Sequence, residues 1–194
     1  RPAHGPLWGA GGRAAGAVIE TERLILRPWR EDDRAPFAAI TADPHVGDWL
    51  GGPIDRASSD ALVDRIGAHI AEHGFGAWAA ERKADGRLIG MIGLSTVAAG
   101  TLPVGPCIEI AWRLAHDAWG AGYASEGARA ALDWGFANIP TDEIIAFTAS
   151  TNLNSQAVMK RIGMVRAAQR DFDHPRLAAD HPLRAHVVYV AAPA

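Results

Sequence analysis

Residues 108–131 read IEIAWRLAHDAWGAGYASEGARAA. Ile108, Ile110, Trp112 and Leu114 alternate with Glu109, Ala111 and Arg113, the period of two expected of a strand with one face in a core. A short loop follows, and Trp119-Gly120-Ala121-Gly122-Tyr123-Ala124 leads into an alanine-rich helix. The first turn of a helix exposes backbone N–H groups without intrahelical partners, and the helix dipole adds partial positive charge to them. Glycine at 120 and 122 removes the Cβ atoms that would keep a diphosphate off the backbone, and it permits positive φ. The junction is suited to an anion, although a lone G-x-G is also compatible with a ligand-free tight connection.

The loop resembles the diphosphate loop Q/R-x-x-G-x-G/A of the GNAT N-acetyltransferase superfamily, with Trp119 in the first position, a departure typical of its RimJ/RimL-like branch. Residues 21–29 (TERLILRPW) resemble that branch's opening strand. Asn152-Leu153-Asn154-Ser155 and Arg161-Ile162-Gly163-Met164 resemble its N-x-x-S and the L-G-F/M that follows. The likeness covers residues 20–190. It implies the α/β (mixed α+β) acyl-CoA N-acyltransferase fold, a central mixed, mostly antiparallel sheet flanked by helices. It also implies transfer of an acetyl group from acetyl-CoA to a primary amine, either a protein N-terminal α-amine or a small-molecule amine, by direct attack in a ternary complex.

By the same resemblance the strand residues Trp112, Arg113 and Leu114 lie along the pantetheine arm, with backbone groups of Trp112 and Leu114 pairing to it. Trp119, Gly120, Ala121, Gly122, Tyr123 and Ala124 then take the diphosphate. Asn152 fixes the arm, Ser155 meets the departing thiolate, and Lys160 and Arg161 are the candidates to meet the distal phosphate. Each has a plainer alternative: Asn152, Asn154 and Ser155 are good helix caps, and a basic residue on a helix is usually a solvated face. Tyrosine, which many relatives outside this branch use at the thiol, occurs only as Tyr123 and Tyr189, and neither falls at that position. Glu109, on the strand face opposite Ile108 and Ile110, is the candidate general base, with a solvent-facing strand residue as the alternative. Asp171, Asp173 and His174 in the long final loop are further candidates for the amine.

With 194 residues, 48% hydrophobic and 21% charged, the chain suits one globular domain, assigned to residues 18–194. Residues 1–17, rich in Gly, Ala and Pro, read as a flexible N-terminal extension without assigned function. A net charge of −3 offers no general attraction to nucleic acid or to anionic membranes. No run approaches the roughly 18 apolar residues of a membrane span, and one cysteine forms no internal disulfide, so the expected location is cytoplasmic. The expected partners are acetyl-CoA and the amine, and the branch allows a homodimer.

The rest of the chain predicts a strand at Leu24–Leu26 stopped by Pro28, and a helix from the Glu31-Asp32-Asp33 cluster to Ile40. A loop or short helix around Val46 and Trp49 precedes a helix capped by Ser58 or Ser59 and ending near Gly74. A hairpin follows across Lys83-Ala84-Asp85-Gly86, and after the central strand and its helix come a strand over residues 143–149 and a helix closing at Gly163. The last strands are expected over residues 164–172 and 186–190.

Two other motifs invite chemistry. Cys107 has no histidine near it in sequence and reads as an inert thiol. His69-Ile70-Ala71-Glu72-His73 matches the H-x-x-E-H of a zinc protease, but Gly74-Phe75-Gly76 ends that helix at once and no metal is assigned. A dinucleotide-dependent oxidoreductase fits poorly, because Ser125 replaces the third glycine of G-x-G-x-x-G. A non-catalytic acyl-CoA sensor remains the other reading, since fold does not fix function.

Overall fold

The computed structural model describes residues 17–193; the extension assigned to residues 1–17 therefore lies, apart from Ala17, outside the described residues. The elements are β1 (Ile19–Glu20), β2 (Leu24–Arg27), α1 (Arg34–Ala42), α2 (Pro44–Gly47), α3 (Arg56–His73), β3 (Ala77–Arg82), β4 (Arg87–Val97), β5 (Cys107–Leu114), α4 (Tyr123–Asn138), β6 (Ile144–Ala149), α5 (Leu153–Arg161), β7 (Val165–Arg166), β8 (Phe172–Asp173) and β9 (Ala185–Ala191). They build one sheet in the order β1-β2-β3-β4-β5-β6-β9-β7, with β8 also on β9. Every pairing is antiparallel except β5 with β6. The expected mixed, mostly antiparallel sheet flanked by helices is the one observed.

The parallel pair matters most for function. Glu109 opposite Ile145 is its single register pair, although β5 continues to Leu114 and β6 to Ala149. Beyond that point the strands part and leave a gap in the middle of the sheet. α4 covers one face: Leu24, Ile92, Leu94 and Ile144 meet it at Gly127 and Gly135. A Cβ on Gly127 would lie 2.4 Å from Ile92 Cδ1, so this close approach requires glycine. Successive side chains alternate between faces. Because Ile92 and Leu94 face α4, Met91 and Ser95 face the other side, and with them their cross-strand partners Arg113 and Glu109.

Some local expectations needed correction. Asp55, rather than Ser58 or Ser59, caps α3, its carboxylate accepting the Ser58 N–H at 2.7 Å, while Ser59 is fully buried. The acidic cluster at 31–33 forms a 3-10 turn before α1. Asp33 belongs to the interior: it accepts two bonds from the buried Arg27 guanidinium, at 2.7 and 2.8 Å, and Arg27 Nε also donates to Glu81 at 2.6 Å. The strand expected over 164–172 is broken into β7 and β8 by a 3-10 turn at Ala168–Arg170. An Arg166–Asp171 ion pair closes that interruption, and Asp171 also accepts the Val188 N–H of β9.

Candidate functional site

The gap between β5 and β6 presents main-chain groups in a definite pattern. Ala115 N–H donates to Ile89 O at 2.8 Å, and the β4–β5 register is regular from Gly90–Leu114 to Val97–Cys107. In such a ladder alternate residues exchange both bonds with the partner. Odd-numbered residues of β5 therefore bond to β4, and Trp112 and Leu114 turn their backbone groups into the gap. The Leu114 carbonyl is already taken by the Trp119 indole N–H at 2.9 Å, which folds the loop's first residue back onto the strand end.

The loop then forms a cradle. Gly120 and Gly122 have φ of 75° and 84°, Gly122 is the N-cap of α4, and it offers no side-chain cap. The first α4 backbone bond is Glu126 N–H to Gly122 O at 3.0 Å, so within the described residues the N–H groups from 120 to 125 donate to no group of the chain. Ser125 Oγ is buried there without a hydrogen-bond partner. A row of free amides and an orphaned hydroxyl at a helix N-terminus fit a diphosphate.

The cradle is held from a distance. The Glu126 carboxylate accepts from Thr21 Oγ1 (2.5 Å), Arg23 N (2.7 Å) and Arg23 Nε (2.6 Å), and Arg23 Nη1 donates to Ala121 O at 2.8 Å. Burial acts to raise the Glu126 carboxyl, but these donors hold it below its ordinary value. The Arg23 guanidinium also lies 4.7 Å from the centre of the Tyr123 ring. Sequence reasoning missed Arg23, Glu126 and Ser125; residues 21–29 read only as the opening strand.

Gap and cradle share one cavity of about 840 Å³, lined by the strand stretch 111–114, the loop 119–125, and Asn152 and Ser155 of α5. Of the predicted site residues, Glu109 and Lys160 are not in its wall; of the two basic candidates on α5, Arg161 lines it and Lys160 is exposed outside it. Asn152 Oδ1 accepts the Ser155 N–H at 3.1 Å, so the asparagine caps α5 while lining the cavity. Tyr189 is buried with its hydroxyl 3.3 Å from Gln156 Oε1 and stays out of the wall. A second cavity, about 670 Å³ and lined by Arg30, Pro36 and His116 among others, contains none of the predicted site residues.

Two titratable groups stand near the gap, and burial shifts both of them. Glu109 sits where the strands meet, with burial pushing its carboxyl up to about 7 and one weak donor, Ser95 Oγ at 3.4 Å, acting the other way. It is partly buried, not solvent-facing. His186, which sequence reasoning did not single out, stands on β9 opposite Ala149 and lines the cavity. Its Nδ1 is 3.1 Å from Arg184 O, and a carbonyl only accepts, so Nδ1 carries the proton and Nε2 keeps its lone pair. Burial lowers its pKa.

The remaining candidates have structural partners. Asp171 pairs with Arg166, and Asp173 lies 3.2 Å from Arg184 Nε. His174 lies against His186 with the rings tilted and their centres 5.1 Å apart. His69 uses both nitrogens on backbone, with Nδ1 2.9 Å from Phe75 O and Nε2 accepting the Thr96 N–H at 2.9 Å, so it has no lone pair for zinc. Burial and then Glu109 push the Cys107 thiol up to about 11, away from a thiolate. Among the described residues, Asp43, His45 and His116 bring ligand atoms within 4.8 Å of one another, but both histidines are exposed and Asp43 already accepts the His45 N–H.

A sequence profile described as "Acetyltransferase (GNAT) domain" matches residues 23–165. Uncharacterized protein YkkB of Bacillus subtilis is 31% identical over 147 residues, 75% of this chain and 84% of YkkB. The crystal structure of an acetyltransferase from Agrobacterium tumefaciens superposes with a TM-score of 0.74 at 26% identity, covering 98% of this chain and 100% of that one. RimJ of Mycobacterium smegmatis, solved in complex with CoA-disulfide, has the same fold, with a TM-score of 0.72, 22% identity, and 91% and 87% of the two chains covered. With the profile spanning the opening strand, the split sheet and the glycine cradle together, the chain belongs to the GNAT family of acetyltransferases.

Proposed function

We propose that this acetyltransferase uses acetyl-CoA as donor and a primary amine, either a peptide α-amine or a small-molecule amine, as acceptor, by direct attack in a ternary complex. The observation that carries the reading is the continuity of the β5–β6 gap with the free amides at 120–125. The loop amides and Ser125 would hold the diphosphate, and the Trp112 carbonyl with the Leu114 N–H would pair with the pantetheine arm as a strand pairs with its neighbour. A main-chain N–H in the gap, that of Trp112, is placed to polarise the thioester carbonyl.

The chain then has to move two protons. An α-amino group with a pKa near ~8 is partly neutral at pH 7, whereas a lysine near ~10.4 is almost wholly charged. Glu109, held near 7 and set back from the cavity wall, takes through water the proton released as the new N–C bond forms. Ser155 donates its proton to the sulfur as the C–S bond breaks and is reprotonated through water by the acid form of Glu109, so that the amine's proton ends on the thiol. Among the described residues no helix is long and apolar enough to cross a membrane, and the proposal places the reaction in the cytoplasm.

Gly122→Val tests the cradle. Valine strains the positive φ, and a Cβ there would lie 3.3 Å from Arg23 Nη2. Calorimetry is expected to show saturable acetyl-CoA binding to the native protein and at least tenfold weaker binding to the variant, with circular dichroism unchanged. Equal affinity in the two proteins, or no binding to the native one, rejects the reading.

A further inference from the structure

Arg113 belongs to the same β5 face as Glu109 and Ala111, on the side of the sheet away from α4. It is partly buried and lines the cavity, and its Nη1 is closed off from solvent without a hydrogen-bond partner. The charge acting on it is that of Arg65 on α3, another cation. Among the described residues no carboxylate pairs with Arg113, and residues 1–16 contain no Asp or Glu. The contrast is Arg27, which is more deeply buried and holds Asp33 and Glu81. Burial and the like charge pull the Arg113 guanidinium down to about 10, which leaves it charged at neutral pH. A buried cation facing a second cation is costly unless something in the working protein neutralises it.

We propose that the Arg113 guanidinium binds a carboxylate carried by the amine that is acetylated, which makes the acceptor an anionic amine. The inference rests on the acetyl-transfer reading above and narrows its substrate class. A guanidinium fork accepts a carboxylate through two parallel N–H bonds, and it discriminates by geometry as well as charge. The coenzyme's diphosphate has its own site in the free amides of the loop. Arg113 instead shares a strand face with the proposed base. At ~3.3 Å per residue the Cα atoms of Glu109 and Arg113 are about 13 Å apart, and Ala111 between them leaves an open floor. An acceptor lying across Ala111 would present its carboxylate to Arg113, beside Trp49 and Leu50 of the same cavity, and leave its amine at the Glu109 end of the strand, where Glu109, behind the wall, is reached through water.

The test is thiol release from acetyl-CoA with each amino acid paired against its carboxamide, together with tripeptide amides carrying Glu or Gln at the second position. The native protein is expected to prefer the acid of at least one pair by ten- to hundredfold in kcat/KM, and Arg113→Met to reduce that ratio to within threefold of one. The first set identifies a free amino acid, and the second an acidic peptide. Calorimetry of the N-acetyl amino acids against their N-acetyl amides on CoA-loaded protein reads the same site without turnover. Equal use and equal binding of acids and amides overturn the proposal. So does an Arg113→Met protein that keeps the preference, or one that loses acetyl-CoA affinity as much as it loses acid preference, because the guanidinium would then serve the coenzyme. Preferential binding of the acids with no thiol release from any pair rejects the acetyl-transfer reading and leaves the anion site standing.

Discussion

Glu109 shows how one residue's surroundings set its charge, and through it stability and, in the proposed reaction, rate. Its carboxyl is raised to about 7 by burial, from an ordinary 4.5. Between those values the folded chain holds a proton that the unfolded chain has released, so stability is greatest at low pH in this window and falls as pH rises through 7. The whole effect is on the order of 3 kcal/mol. Glu109→Gln is expected to flatten the loss of denaturant midpoint between pH 5 and 8, leaving the variant more stable than the native protein at pH 8. It should also remove an acidic limb near pH 7 from the kcat/KM profile, with a ~10²-fold loss on amines of high pKa. A native-like slope and profile in the variant would refute this role. The alternation of β5 was legible in sequence and placed Glu109 and Arg113 on one face. Their charge states were not, because desolvation depends on elements distant in sequence that pack around them, among them α3, whose Arg65 acts on Arg113.

At the scale of elements, β2 and the turn before α1 are joined by a buried ion-pair network rather than by apolar contact alone. Asp33 accepts both Arg27 bonds and also the Arg30 N–H at 2.7 Å. Asp33→Ala leaves the Arg27 charge buried with only Glu81, and removing one partner of such a pair typically costs ~3–5 kcal/mol. Urea unfolding should show that loss, with a larger share of activity retained at low temperature than near the midpoint; a change below ~1 kcal/mol would mean the network is relieved by solvent. In sequence Asp33 was indistinguishable from an exposed first-turn acid, since nothing local announces a guanidinium on the preceding strand or Glu81 on a third element. The final strands were misjudged for a related reason. Apolar content at 164–172 suggests continuity, but Asp171 has to bond both Arg166 and the β9 backbone, and that turns the chain.

The whole molecule is a sheet divided at its centre, with the two halves meeting again at Glu109 and Ile145. A ligand that fills the gap bridges the halves and binds only the folded chain. Acetyl-CoA at a hundred times its Kd should add ~2.7 kcal/mol. For a domain of this size that corresponds to a rise of roughly 5–10 °C in Tm. Differential scanning fluorimetry reads it directly, and the Gly122→Val protein should lose most of the rise. An equal rise with adenosine alone would instead place the affinity outside the diphosphate cradle.

The sequence by itself determined the central strand, the glycine turn, the helix that follows, and therefore the family, because strand period, positive φ and helix termini are set by residues within a few positions of one another. The tertiary structure decided what those local features became. Glu126 clamps a loop through Arg23, 103 positions away, and Arg27 finds Glu81 across 54. β5 and β6 part after one pair, and Arg113 is left in the cavity wall without a carboxylate. Contacts of that separation are fixed by how whole elements pack, and they leave no period or spacing in the chain from which to read them.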